Sequence, residues 1–167
     1  MPGAAGEQSV SIRLIVNERR HQLDVGAGET LLSMLRERLS LLGPKEACCE
    51  GECGACTVLM DGAPVASCIL AAGSTNGRTV LTVEGLAGTG ELTALQQAFV
   101  NHAAVQCGYC TPGVLMVLTA LLEDTPDPSE ADVRRALAGT ICRCTGYQQI
   151  VEAALDAAQL MIRAATS

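Results

Sequence analysis

Residues 48–56 read CCEGECGAC, four cysteines in nine positions. Eight of the chain's nine cysteines fall into two groups. The first is Cys48-x4-Cys53-x2-Cys56-x11-Cys68 and the second is Cys107-x2-Cys110-x31-Cys142-x-Cys144. Sulfur at this density serves structural disulfides, zinc or an iron–sulfur cluster. The opening residues, MPGAAGEQS, contain no basic residue and no apolar run, so they read as a frayed tail rather than a secretory signal. That predicts a reducing cytoplasm, where clustered cysteines serve metal or catalysis rather than disulfides.

Spacing separates the two remaining chemistries. The pattern C-x4-C-x2-C with a distant fourth cysteine is the plant-type [2Fe–2S] spacing. Two irons and two sulfides form a flat rhomb, and each iron takes two thiolates in tetrahedral array. A tight loop wraps three corners and a strand supplies the fourth. Gly51 and Gly54 free the loop to bend and to aim N–H groups at sulfur, which stabilises an anionic cluster. In the second group each cysteine pair stands just before an expected helix, where unpaired N–H groups and the positive end of the dipole favour an anion. Zinc is the rival reading, because C-x2-C also occurs in zinc ribbons, although C-x-C is an awkward bite for one. Cys49 fits neither spacing and reads as a spare thiol.

Other residues carry little chemistry. His21 and His102 lack a partner at ligand spacing, and Arg134-Arg135 reads as a solvated helix face. The chain has no GxGxxG, no P-loop and no nucleophile beside a base. Its net charge of −7 argues against a nucleic-acid partner. The longest apolar stretch, Val114 to Leu122, is too short to span a bilayer.

The elements that must position the cysteines divide the 167 residues into two parts. Val10, Ile12, Leu14 and Val16 alternate as a strand. A turn over 17–20 leads to a second strand through His21, Leu23 and Val25. Thr30 caps a helix with the stripe Leu31, Met34, Leu35 and Leu39, expected to stop at Gly43-Pro44. Asp61-Gly62 joins strands 57–60 and 63–67 as a hairpin, and 78–83 adds another strand. After a linker over 85–91 the pattern turns helical. Leu95, Phe99 and His102 share a face, Thr111-Pro112 opens a second helix, Ser129 and Asp132 resemble a capping box for a third, and a fourth runs over 147–164. The expected fold is α+β: a domain over 10–84 followed by a four-helix domain over 92–164, with 1–9 as a tail.

With both cysteine groups in place, the strings KEACCEGECGACTVLMDG, VLTVEGLA, QCGYCTPG and ICRCTGYQQIVEA resemble the small iron–sulfur subunit of the molybdenum hydroxylases, the xanthine dehydrogenase and aldehyde oxidoreductase family. The resemblance covers 10–160. It implies a plant-ferredoxin-like β-grasp domain whose cluster, on Cys48, Cys53, Cys56 and Cys68, lies toward the flavin. It implies a four-helix-bundle domain whose cluster, on Cys107, Cys110, Cys142 and Cys144, lies toward molybdenum. Gln106 and Cys144 match positions that touch the pterin, and the TPG after Cys110 resembles flavin-linked members. The implied partners are a large subunit with molybdopterin, in its cytosine dinucleotide form, and a medium subunit with FAD, assembled as a dimer of heterotrimers. Electrons would pass from molybdopterin through the two [2Fe–2S] clusters to FAD. Two residues depart from the pattern: Ala47 stands where glycine is usual, and Cys49 where a polar residue is common. The alternative is a free two-cluster ferredoxin.

Overall fold

The structure is a computed structural model that describes residues 9–87 and 90–166. Of the expected tail, 1–8 lie outside the described residues, whereas Ser9 already belongs to a strand. Of the expected linker, Gly88 and Thr89 also lie outside them.

Strand β1 (Ser9–Val16) turns back through Asn17 and Glu18 into β2 (Arg19–Gly26). Both turn residues have positive φ, 48° and 66°, the backbone that a two-residue hairpin needs to match strand twist. The turn is therefore shorter than the expected 17–20, because Arg19 pairs directly with Val16. A second hairpin joins β3 (Thr57–Met60) to β4 (Ala63–Ala66) through Asp61 and Gly62, also both at positive φ. Strand β5 (Thr79–Leu81) runs between the hairpins, parallel to β1 and antiparallel to β3, giving the sheet order β2-β1-β5-β3-β4.

One face of this sheet is covered by the segment after Thr30. Ile12, Leu14, Val16, Val25, Val58 and Val80 are buried against Leu31, Met34 and Leu35. Thr30 caps α1 (Leu31–Ser33) by accepting the Ser33 N–H at 3.1 Å. The helix then widens into a π turn over Met34–Arg38 and ends there, well short of Gly43-Pro44. The widened turn explains the difference. The Leu39 N–H reaches the Met34 carbonyl, and the Leu41 N–H reaches that of Leu35, so both leucines pack on the same core. Ser40 takes a positive φ of 56°, and the Arg36 guanidinium donates to the carbonyls of Leu42 and Pro44.

The second domain has four helices: α2 (Ala94–Asn101), α3 (Thr111–Asp124), α4 (Glu130–Ala136) and α5 (Gln148–Ala165). Thr93 with Gln96 and Ser129 with Asp132 form capping boxes at the starts of α2 and α4. Pro112 sits in the first turn of α3, where a missing N–H costs nothing. Leu95, Phe99, Leu118, Leu122, Val133 and Ile150 are among the buried core residues. His102 caps the end of α2 and meets Asp156 of α5 at 3.1 Å.

The end of the first domain is fixed just before the chain passes to the helices. Asn17 exchanges hydrogen bonds with the Thr82 backbone and hydroxyl, both at 2.9 Å. The Thr82 hydroxyl donates to Glu84, which also accepts the Gly43 N–H at 2.6 Å. Among the described residues no helix is long and apolar enough to cross a membrane.

Candidate metal centres

The sequence-predicted sulfurs come together in two places, and in each place they pair two by two. In the N-terminal domain the Cys48 thiol pairs with Cys53, and Cys68 with Cys56. In the helical domain Cys107 and Cys144 lie 3.5 Å apart, and Cys110 pairs with Cys142. One pair in each place is buried, Cys56 with Cys68 and Cys110 with Cys142. The other pair reaches the surface: Cys48 and Cys53 are half-buried, and Cys107 and Cys144 are exposed.

Backbone amides surround these sulfurs. Cys48 is drawn down to about 6, first by the Glu50 N–H at 3.4 Å and then by the amide and thiol of Cys53. Cys68 is pushed up to about 11 by burial and then by its bond with Cys56. Cys110 is pushed up to about 12 by burial and then by Cys142. Burial also works to raise Cys142, but the Thr145 hydroxyl and the amides of Thr145 and Cys144 outweigh it and hold that thiol at about 7. Cys107 is lowered, chiefly by the Tyr109 N–H, and Cys144 is raised, chiefly by Cys107. In the helical domain each pair thus has one sulfur suited to the charge and one suited to the proton. An iron ion would replace the shared proton and hold both as thiolates.

This arrangement fits a [2Fe–2S] cluster better than zinc. A single tetrahedral ion needs its ligands converging on one point. Among the described residues no three His, Cys, Asp or Glu side chains form such a group. Two thiols per iron, with amides directed at the sulfurs, is what a two-iron rhomb requires.

Loop chemistry explains how the sulfurs are held. Gly51 has φ 81°, and a Cβ there would stand 2.8 Å from the Ile69 side chain, just past Cys68. Ala47 is not at positive φ, so alanine stands there without strain. Cys49, at φ 57°, is exposed and places its thiol 3.8 Å from the Glu46 carboxylate. In the helical domain the Tyr147 hydroxyl accepts the Cys142 N–H at 2.8 Å and donates to the Thr140 carbonyl at 2.9 Å. Thr145 accepts the Tyr147 N–H, which leaves its hydroxyl hydrogen free for the Cys142 sulfur 3.1 Å away. Gln106 is exposed beside Cys107. Tyr109, between Cys107 and Cys110, donates its hydroxyl to the Glu46 carbonyl of the other domain.

Tyr109, Thr145 and Tyr147 have no role in the sequence reading. One signal for two of them was present: the chain has only two tyrosines, and each lies within a cysteine segment.

Comparison with known proteins decides the family. A 2Fe-2S iron-sulfur cluster binding domain matches residues 14–85, and a [2Fe-2S] binding domain matches residues 82–155. The nicotine 6-hydroxylase small subunit of Paenarthrobacter nicotinovorans is 53% identical over 148 residues, covering 89% of each chain. The xanthine dehydrogenase iron-sulfur-binding subunit of Escherichia coli O157:H7 is 44% identical over 151 residues, covering 89% of this chain and 94% of that one. The chain belongs to the iron–sulfur subunits of the molybdenum hydroxylases. A solved structure of quinoline 2-oxidoreductase from Pseudomonas putida 86 matches with a TM-score of 0.89 and 39% identity, over 93% of this chain and 98% of that one. The Desulfovibrio gigas aldehyde oxidoreductase matches with a TM-score of 0.89 and 37% identity, over 93% of this chain and 17% of that longer one. As a molybdenum hydroxylase iron–sulfur subunit, the chain serves electron transfer within an oxidoreductase.

Proposed function

We propose that Cys48, Cys53, Cys56 and Cys68 hold one [2Fe–2S] cluster and that Cys107, Cys110, Cys142 and Cys144 hold the other. The observation that carries this reading is the pairing of the eight sulfurs two by two, with amides directed at them. The units that hold them span 10–84 and 92–164, joined by 85–91. The exposed edge at Cys107 and Cys144 receives a large molybdopterin-bearing subunit, with Gln106 and Cys144 against the pterin in its cytosine dinucleotide form. Exposed Val105, Tyr109 and Ile141 around that edge support a protein-covered surface. The Cys48 edge faces a medium, FAD-bearing subunit. Electrons enter at the C-terminal site and leave from the N-terminal one, in a cytoplasmic dimer of heterotrimers.

The test is to co-purify the chain with its partners and measure metal. Two [2Fe–2S] sites require about four irons and four acid-labile sulfides per chain, with two distinguishable paramagnetic signals after reduction. Zinc in place of iron, or half the iron in fully folded wild-type protein, would remove one site from the assignment.

A further inference from the structure

We propose that the helical domain sets the geometry of the N-terminal cysteine loop through Tyr109, Gly113 and the backbone of 139–141, so that the N-terminal site is complete only when the two domains are docked. The inference rests on the ligand assignment above.

Between Arg38 and Thr57 the chain has no regular element. Its own backbone ties near the cysteines are few: the Lys45 N–H to the Ala55 carbonyl and the Thr57 N–H to that of Gly54. The Thr57 and Ser67 hydroxyls add bonds to the carbonyls of Gly54 and Cys56, and further ties on either side of Cys48–Cys53 come from the other domain. The Tyr109 hydroxyl donates to the Glu46 carbonyl, two residues before Cys48. The Ile141 N–H donates to the carbonyl of Cys53 itself, at 2.9 Å. Gly54, at φ 70°, lies so close that a Cβ there would stand 2.4 Å from the Gly139 carbonyl oxygen and 2.8 Å from the Thr140 Cα. A Cβ on Gly113, in the first turn of α3, would stand 2.1 Å from the Gly54 carbonyl oxygen. Both ends of the CCEGEC segment are thus fixed by residues of the helical domain.

The C-terminal sulfurs have supports of their own as well. Cys142 is held by Tyr147 and Thr145, and Cys110 is the N-cap of α3, so these two sulfurs are also placed by their own domain. The Thr140 hydroxyl lies in the same seam, buried and without a hydrogen-bond partner among the described residues. Tyr109, Gly113 and Ile141 therefore act as positioning residues for a cluster whose ligands all lie in the other domain.

The experiment compares wild type, Gly113→Ala, Tyr109→Phe and Leu118→Ala in the full chain, reading iron content, the two paramagnetic signals and the rate of iron loss to a chelator. Leu118 is a buried core residue of α3 and controls for general loosening of the helical domain. Gly113→Ala is expected to keep the C-terminal signal while it loses or reshapes the N-terminal one, with iron falling toward half. Tyr109→Phe is expected to keep both signals but to release N-terminal iron several-fold faster. Leu118→Ala should show no such selectivity. Wild type that lacks two signals would refute the ligand assignment. Wild type with both signals, beside a Gly113→Ala protein that keeps both, loses both together or loses the C-terminal one first, would overturn the positioning role alone.

Discussion

Cys48 and Cys49 are neighbours in sequence and opposites in environment. Cys48 sits among the amides of Glu50, Glu52 and Cys53. Cys49 is pushed up, first by desolvation and then by the Glu46 carboxylate, so it resists becoming the thiolate that iron needs. Cys48→Ser is expected to lose the N-terminal cluster, and Cys49→Ser to keep both. Iron and sulfide analysis of the two variants checks this. The opposite pattern would shift the loop assignment by one residue. The two sulfur groups were legible in the sequence because spacing is a one-dimensional property. It could not expose which sulfur pairs with which, because Cys48–Cys53 and Cys56–Cys68 are set by how the loop folds over β3 and the residues after β4. Nor could it show Tyr147 spanning Thr140 and Cys142, a contact made by a residue at φ 68°.

At the scale of elements, caps and turns were legible and the end of the first helix was not. Asp61-Gly62, Thr30, Pro112 and the Ser129–Asp132 box stand as the local chemistry demands. The end of the first helix departed from its stop signal because core packing of Leu39 and Leu41 overrode Gly43-Pro44. Thr93→Ala should remove the cap of α2, whose hydroxyl accepts the Gln96 N–H, and lower stability by about 1 kcal/mol. Denaturant midpoints at unchanged slope would show it. The β3–β4 hairpin should be acid-sensitive. The Asp61 carboxyl is held below its ordinary value of 3.8, first by the Thr79 N–H and then by Arg78. A carboxyl lowered by folding contributes stability that is present above its unfolded value and lost as pH falls through the lower folded one. Asp61→Asn should therefore flatten the loss of stability below about pH 4, with the difference shrinking in high salt. Acid titration of the denaturation midpoint in both proteins tests the sign.

At the scale of the whole molecule, the end of the first domain is fixed by the Asn17–Thr82–Glu84–Gly43 bonds, Val83 there packs on the helical core, and the two domains meet again where the cysteine loop meets the helical domain. Neither seam is visible in the sequence. Asn17 meets Thr82, Gly43 meets Glu84 and Ile141 meets Cys53 across more than forty positions, and several of these contacts end on a backbone group, which carries no residue-type signal. The outer surface of the helical domain is where assembly can be tested. Gln106→Ala should leave iron content unchanged. In the assembled complex it should weaken retention of the pterin cofactor or slow cluster reduction by substrate, by the loss of one or two hydrogen bonds, on the order of 1–3 kcal/mol. Iron, cofactor and rate all matching wild type would place Gln106 away from the cofactor.

The division of each sulfur group into a buried pair and a surface pair has a consequence for solvation. The Cys107 and Cys144 sulfurs are open to water as well as to the Tyr109 amide, whereas Cys110 and Cys142 are buried, with fixed amides and the Thr145 hydroxyl at Cys142. A partner that seals the exposed edge removes the water and leaves the amides. Added charge is harder to accommodate in a drier setting, and solvent exposure is one of the levers on cluster potential. Assembly itself thus retunes the C-terminal site. Its midpoint potential in the isolated subunit should lie above its value in the complex, which redox titration of the C-terminal paramagnetic signal in both would show.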